Sequence, residues 1–505
     1  MILRRLYQWI IVGVVVLLLI MVGFRSGITR EWRRQLADSA VVQRPIRLRV
    51  WDWWSPSANE EYGNYFNDVK LQFEQQNPDV EIHLQIVPFG NYVQKLSTAM
   101  VGSTPPDVFQ SSVYWAEDFY HRDMLRPLND LLVADRDTDG GGGYIGREAF
   151  LPSAWRHNHT KDGVIYGIPQ GIDAFCLLWN LDLLEDAAKH DDEIRAMFAS
   201  RADGAVDYNR LRFDAVANWN HFRRIARKLT QRDADDRLVQ AGFHIQGYAG
   251  RGGGGMFSPW LAANGGRYQD EQGARAEFDN PLGIETMQFL AQLYWSDKVC
   301  LPFRRQLSQV EQFQQGKVAA IVAGTWSGKN IMRNTQGWHH FGKTAFPPGP
   351  GGNGQRTVTW GNMFVISKRC RQVDAAWRYV KFVCSREGNL LRLRHLGFIG
   401  PRLDFYETEQ WQQAVADRPY LSNVKAICLA GQKLRHTQII AVNHQANPVF
   451  ETILLRYPQI VQGKGPHASV ATALELAATN VNRVFDRYHR QVSRWTASRT
   501  SHIEQ

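Results

Sequence analysis

Between residues 46 and 112 two hydrophobic periods alternate, and this restricts the chain's fold more than any other feature. Ile46, Leu48 and Val50 alternate with basic residues, the period of a strand with one buried face. Tyr62, Tyr65, Phe66, Val69 and Phe73 recur at helical spacing over 59–76, and Asn77-Pro78-Asp79 breaks that helix. Val80, Ile82, Leu84 and Ile86 then alternate with Glu81, His83 and Gln85 as a second strand. Residues 91–100 read as a second helix, and Pro105-Pro106-Asp107 leads into a short apolar strand at Val108-Phe109. Strand, helix, strand, helix, strand is the pattern of an α/β fold, a parallel sheet with crossover helices. Ligands of such sheets sit beyond the carboxyl ends of the strands. Here those ends are Trp51 to Ser55, Pro88-Phe89-Gly90 and Gln110-Ser111-Ser112.

Further strands are expected at Val164–Pro169, Ala174–Trp179 and Val318–Ala323, and helices at 219–229, 283–295, 374–385 and 471–488. Gly140–Gly143 and Gly252–Gly255 read as loops. The 505 residues, 44% of them hydrophobic, suffice for two or more cores, because single cores stop growing at roughly 250–300 residues. The net charge of +10 comes largely from arginines dispersed along the chain, with some concentration at both ends. No basic block interleaved with aromatics marks a nucleic-acid site. The five cysteines, Cys176, Cys300, Cys370, Cys384 and Cys428, form no CxxC and no metal-ligand spacing. A Cys370–Cys384 bridge remains open beside the reading of buried free thiols. Asp135, Asp137, Asp139 and Gly140 begin like a calcium loop, but its twelfth position is Gly146 and its eighth Gly142. An acidic solvated turn fits better, and no metal is expected.

Arg4 and Arg5 precede an uncharged run, Leu6 to Phe24, at the border between a signal-peptide core and a spanning helix. No small-residue cleavage pattern follows, and no cysteine occurs before Cys176, which excludes a lipid-modified N-terminal cysteine. An uncleaved signal-anchor at 1–24 with a tether at 25–44 is the favoured reading. Arg25, Arg30, Arg33 and Arg34 outnumber Arg4 and Arg5, so the positive-inside rule points the other way from an external domain.

Several segments, in order, carry a resemblance: "FEQQNPDVEIHLQIVPFGNYVQK" followed by "GSTPPDVFQ", "YGIPQGIDAFCLLWNLDLL", "ANGGRYQDEQG", "FQQGKVAAIVAGTWS" and "TVTWGNMFVISK". Over roughly residues 46–490 the chain resembles the extracellular solute-binding proteins of ABC sugar importers, the group that includes maltose-binding protein. The resemblance implies the two-lobed type II periplasmic-binding fold, each lobe a sheet flanked by helices, with a hinge between them. It puts 46–172 plus 360–400 in the first lobe and 173–359 plus 401–505 in the second. It further implies a monomer outside the cytoplasm, anchored to the inner membrane, that binds carbohydrate, meets ABC permease subunits, and uses no cofactor. Loops at 130–160 and 186–214 are longer than the family's usual ones.

A pyranose has apolar faces and hydroxyl edges, so its site needs flat aromatic surfaces and a few fixed polar groups. Trp326 in Gly-Thr-Trp-Ser falls where the resemblance places a stacking aromatic, and Asp173 where it places an acceptor of sugar hydroxyls. A carboxylate suits that role because it only accepts. Trp53 and Trp54 end the first strand, and one can face the cleft while the other packs. Trp260 precedes Asn264-Gly265-Gly266, and Trp360, Gly361 and Asn362 lie on an expected crossing segment. Gln110 and Ser111 follow the Val108-Phe109 strand. Arg402 either reaches the cleft or pins a helix.

The main alternative is a secreted carbohydrate-active enzyme, which needs two carboxylates about 5–10 Å apart. No paired motif, nucleophile elbow, His-Glu-x-x-His or Walker loop is present in the sequence. A membrane-anchored sugar sensor of the same fold is the third reading.

Overall fold

The computed structural model describes residues 45–54, 59–102, 104–138, 145–245, 257–302, 308–333, 338, 340–433 and 439–503. The anchor and tether at 1–44, both glycine clusters and residues 139–144 of the acidic loop lie outside them. Two contact units are present. Among the described residues the smaller comprises 45–47 with Glu74–Glu81, and in it the Ile46 N–H donates to the Asp79 carbonyl at 2.7 Å. The larger comprises Leu48–Phe73 and Ile82–Gln505.

The alternating N-terminal pattern yields β1 (Ile46–Trp54), α1 (Asn59–Gln76), β2 (Val80–Pro88), α2 (Phe89–Val101) and β3 (Val108–Ser112), followed by α3 (Val113–His121). β1 and β3 are parallel, with Val50 opposite Val108. Next come β4 (Ile168–Asn180), α4 (Trp219–Lys228), α5 (Pro281–Trp295), β5 (Ala320–Gly324), β6 (Phe341–Thr344) and β7 (Thr357–Ile366). The chain continues through α6 (Val373–Cys384), α7 (Arg386–Leu396), β8 (Gly431–Lys433), α8 (Ile439–Val461) and α9 (Val470–Ile503).

The strands join one sheet in the order β6-β4-β7-β3-β1-β2, with β5 also on β4 and β8 also on β7. Two long strands hold it together. The first half of β4 pairs antiparallel with β7, and its second half pairs with β5 and β6. β7 in turn pairs with β8 near its start and with β3 near its end. Each of these strands thus belongs to two groups of neighbours.

The two strands expected at Val164–Pro169 and Ala174–Trp179 are one, β4. It begins only at Ile168 because Val164 is held in a turn, its N–H donating to Thr160 Oγ1 and its carbonyl accepting from Thr160 N–H. The close approach of β7 needs glycine at 361, since a Cβ there would lie 2.5 Å from the Gly171 carbonyl oxygen. Helix α9 runs well past residue 488, where its apolar pattern gives way to arginines. Helix α8 has no counterpart among the periodic segments, and Pro448 and Pro458 lie inside it.

Separate cores form around the two strand groups. Trp51, Trp53, Tyr92, Phe109, Trp115 and Val365 pack on one side. Trp179, Phe222, Trp260, Phe289, Phe450 and Phe485 belong to the other, which α8 and α9 cover. The end of α9 reaches α3, where the Arg122 guanidinium lies 4.9 Å from the Trp495 ring centroid.

Candidate functional site

The chemistry-bearing side chains gather where β4 and β7 cross between their two sets of partners. Trp360 is the cross-strand neighbour of Asp173, and Phe175 lies two residues along β4 on the same face. Trp326 enters from the single turn Thr325–Ser327 that follows β5. The three rings form one cluster, with centroids 4.6 Å apart for Phe175–Trp360, 4.7 Å for Trp326–Trp360 and 5.9 Å for Phe175–Trp326. All three are only half-buried, so aromatic surface stays open beside a carboxylate.

Asp173 is itself half-buried. Its Oδ1 accepts from Thr325 Oγ1 at 3.2 Å, and that hydroxyl accepts from the Ala174 N–H at 3.1 Å. Desolvation pushes the carboxyl up to about 6, against the opposing pull of Arg392, Thr325 and Lys343. Lys343 is buried and donates to the Thr325 carbonyl at 2.9 Å, and burial lowers its ammonium to about 8.

Arg392 of α7 supplies buried positive charge to this region. Its Nη1 donates to the Gln170 carbonyl at 2.9 Å, packed so tightly that a Cβ on Gly171 would meet it at 2.4 Å. The same guanidinium pulls down the carboxyl of Asp52 at the end of β1. Asp52 is buried and its Oδ1 accepts the Trp53 N–H at 2.7 Å, but desolvation still raises it to about 7. Gln110 Nε2 donates to Gln170 Oε1, and Gln170 Nε2 donates to the Tyr65 hydroxyl at 2.9 Å. Two carboxyls thus feel the charge of one buried guanidinium, and the neighbouring amide groups are fixed by their own bonds.

The structure sorts the sequence candidates. It brings Trp360, Asp173, Gly361 and the half-buried Asn362 together on the crossing strands, with Trp326 reaching Trp360 from the turn after β5. Trp260 is corrected: it is wholly buried, with rings of Phe222, Phe243, Phe289 and Phe346 within 6 Å, and offers no face to a solute. Trp53 is corrected likewise, because Tyr92 and Trp115 close on it edge-on at 5.1 and 5.7 Å. The side chain of Trp54 lies outside the described residues. Ser111 is fully buried and bonded to the Ser112 carbonyl, and the Gln110 amide is committed to Gln170. Arg402 pins its own loop, with Nε and Nη2 each 2.8 Å from the Asp404 carboxylate. Asp135 lies buried in the helix Asn129–Thr138 and pairs with Lys381 at 2.5 Å, not in a solvated turn. No metal-binding group of side chains occurs among the described residues. All five cysteines are free and buried.

Phe175, Thr325, Lys343, Arg392, Gln170 and Asp52 escaped the sequence reading. Phe175 and Gln170 had a signal, since both lie within two or three residues of Asp173 in the same segment. Nothing in the sequence brings Arg392 from a helix more than two hundred residues away. Cavities of about 480 and 660 Å³ also exist, one beside Trp219 and Gln288 and one beside Lys70 and His83. Neither includes Asp173 or the three rings, and their size alone does not outweigh that concentration of chemistry.

The family model described as bacterial extracellular solute-binding protein matches residues 57–390. The arabinooligosaccharide-binding protein of Bacillus subtilis is 20% identical over 408 residues, covering 78% of this chain and 81% of that one. The solved cyclic alpha-maltosyl-1,6-maltose binding protein of Arthrobacter globiformis superposes with a TM-score of 0.66 at 17% identity, over 88% of this chain and all of the other. The sugar-binding protein MalE of Xanthomonas citri gives the same TM-score and identity, over 88% of this chain and 99% of its own. No helix among the described residues is long and apolar enough to cross a membrane.

Proposed function

We propose that this chain, which belongs to the bacterial extracellular solute-binding proteins, captures a neutral oligosaccharide at the β4–β7 crossing and presents it to an ABC importer. The observation that carries this reading is the open cluster of Phe175, Trp326 and Trp360 beside the half-buried Asp173 carboxylate. Ring faces of pyranoses stack on the aromatics, and Asp173 accepts a hydroxyl hydrogen. Names of the relatives support the ligand class: an arabinooligosaccharide binder, a maltodextrin binder and a binder of a cyclic maltose dimer.

The lobes are 46–172 with 360–400 and 173–359 with 401–505, and β4 and β7 act as the hinge. A ligand that touches both lobes favours the closed form, because the full set of contacts exists only there. The residues of the site bind and orient a sugar and do no covalent chemistry. The uncharged run from Leu6 to Phe24 holds the protein at the outer face of the inner membrane.

The test is a thermal-shift and calorimetric screen of the purified chain with maltotriose, arabinotriose and a cyclic glucan, followed by mass spectrometry of the sugar. A melting shift with the sugar recovered intact supports the reading. Cleaved sugar, or no shift with any neutral glycan, overturns it.

A further inference from the structure

The exposed face of α9 carries a charge pattern that sugar capture does not use. Arg483, Arg487, Arg490 and Arg494 are spaced four, three and four residues apart, so at 100° per residue they fall on one stripe of the helix. All four are exposed. The stripe is about 16 Å long at 1.5 Å per residue. The helix is anchored on its other side: Ala473, Leu474, Ala477, Ala478, Val481 and Phe485 are buried in the core, and Tyr488 is buried within the length of the stripe. The first half of the stripe is therefore displayed on a packed segment of the helix.

Little acidic charge answers them. Glu475 and Asp486 are the only acids of the helix, Glu475 lies two turns before the stripe, and Asp486 is 3.3 Å from Arg275. Among the described residues, Arg483 donates to the Asn480 amide oxygen at 3.3 Å. No large apolar side chain is exposed between Arg483 and Arg494. Phe485 and Tyr488 are buried, and Val484 and Val492 are half-buried. A shape-complementary protein partner needs a desolvated apolar centre, which this face lacks. A straight row of guanidinium groups without an apolar anchor matches a planar, laterally mobile array of phosphates.

We propose that the arginine stripe of α9 docks the folded domain on an anionic phospholipid surface. This goes beyond sugar binding and does not depend on it. Tangential contact by α9 would fix the orientation of the domain at the membrane, which a tether alone leaves free.

The test uses the full chain with a nitroxide on Gln491→Cys, an exposed position beside the stripe, and a control nitroxide on Asp203→Cys in the exposed turn between residues 200 and 206. The five native cysteines are buried, so both labels are selective. Relaxation of each label by a gadolinium-chelating lipid is measured with phosphatidylcholine vesicles, with and without phosphatidylglycerol. Contact at 491 but not at 203, dependent on phosphatidylglycerol and lost in high salt, is expected. The quadruple variant R483Q/R487Q/R490Q/R494Q should reduce it at least tenfold, since each basic residue near an anionic surface contributes about fivefold to partition. The four-lysine counterpart should largely restore it, and an unchanged melting temperature in both variants excludes misfolding. Equal relaxation with and without phosphatidylglycerol, or no effect of the quadruple variant, would overturn the proposal. So would an arginine-dependent response that needs a membrane protein and is absent with lipid alone.

Discussion

Trp360 and Asp173 face each other across the antiparallel pair of β7 and β4, an aromatic ring and a carboxylate directly opposed on the two strands that cross the molecule. Register fixes this pairing, so both groups are carried by the two strands that join the two sets of neighbours in the sheet.

Removing a ring of the cluster should weaken sugar binding without unfolding the protein. Burial of one aromatic face removes on the order of 100 Å² from water, about 2–3 kcal/mol. Trp326→Ala should therefore raise the Kd of a bound glycan by about 30- to 150-fold, and Trp360→Ala by a similar factor. Calorimetry reads the affinity, and circular dichroism checks the fold.

In the proposed site the Asp173 carboxylate accepts hydroxyl hydrogens most strongly when ionised. Its carboxyl is raised to about 6, so affinity should fall as pH drops through that value. Asp173→Asn should bind about 10- to 100-fold more weakly at pH 8, the value of about 1.5–3 kcal/mol for a hydrogen bond to a charged group. It should also lose the pH dependence near 6. Titrations at pH 5, 6.5 and 8 check both points.

Asp52 should shape stability instead. Its folded value of about 7 lies above the ordinary 3.8 of an aspartate, so between these limits the native state holds a proton that the unfolded state has released. The contribution is full below pH 4 and is lost as pH rises toward 7. Three pH units correspond to about 4 kcal/mol as an upper bound. Asp52→Asn should flatten the fall in melting temperature between pH 4 and pH 7. A parallel profile in wild type and variant would refute the assignment.

Trp260 should behave as a core residue. Trp260→Ala leaves a large void among Phe222, Phe243, Phe289 and Phe346 and should cost about 3–5 kcal/mol in denaturant unfolding. Protein that remains folded should bind sugar with nearly unchanged affinity.

The comparison of Trp260 with Trp326 shows where sequence reading stops. Both tryptophans sit beside glycines or small residues, and both fitted a cleft. Trp326 follows the end of a buried strand, in a single turn that projects it toward Phe175 and Trp360. Trp260 lies in the short helix Ser258–Ala263, every residue of which is buried. Trp53 failed for a related reason. Strand alternation puts it on a definite face of β1, but only the packing of α2 and α3 made that face interior.

By itself the sequence determined the α/β class, the first three strands with their two crossover helices, and the segment pattern that marks the family, because periodicity and turn residues act over short range. It also singled out Asp173, Trp326 and Trp360, which the fold brings together. Only the tertiary structure decided which aromatics stay open and which become core, and only it brought Arg392 to the carboxyls of Asp52 and Asp173. Burial and charge pairing depend on which distant elements come to lie together, and no local pattern encodes that.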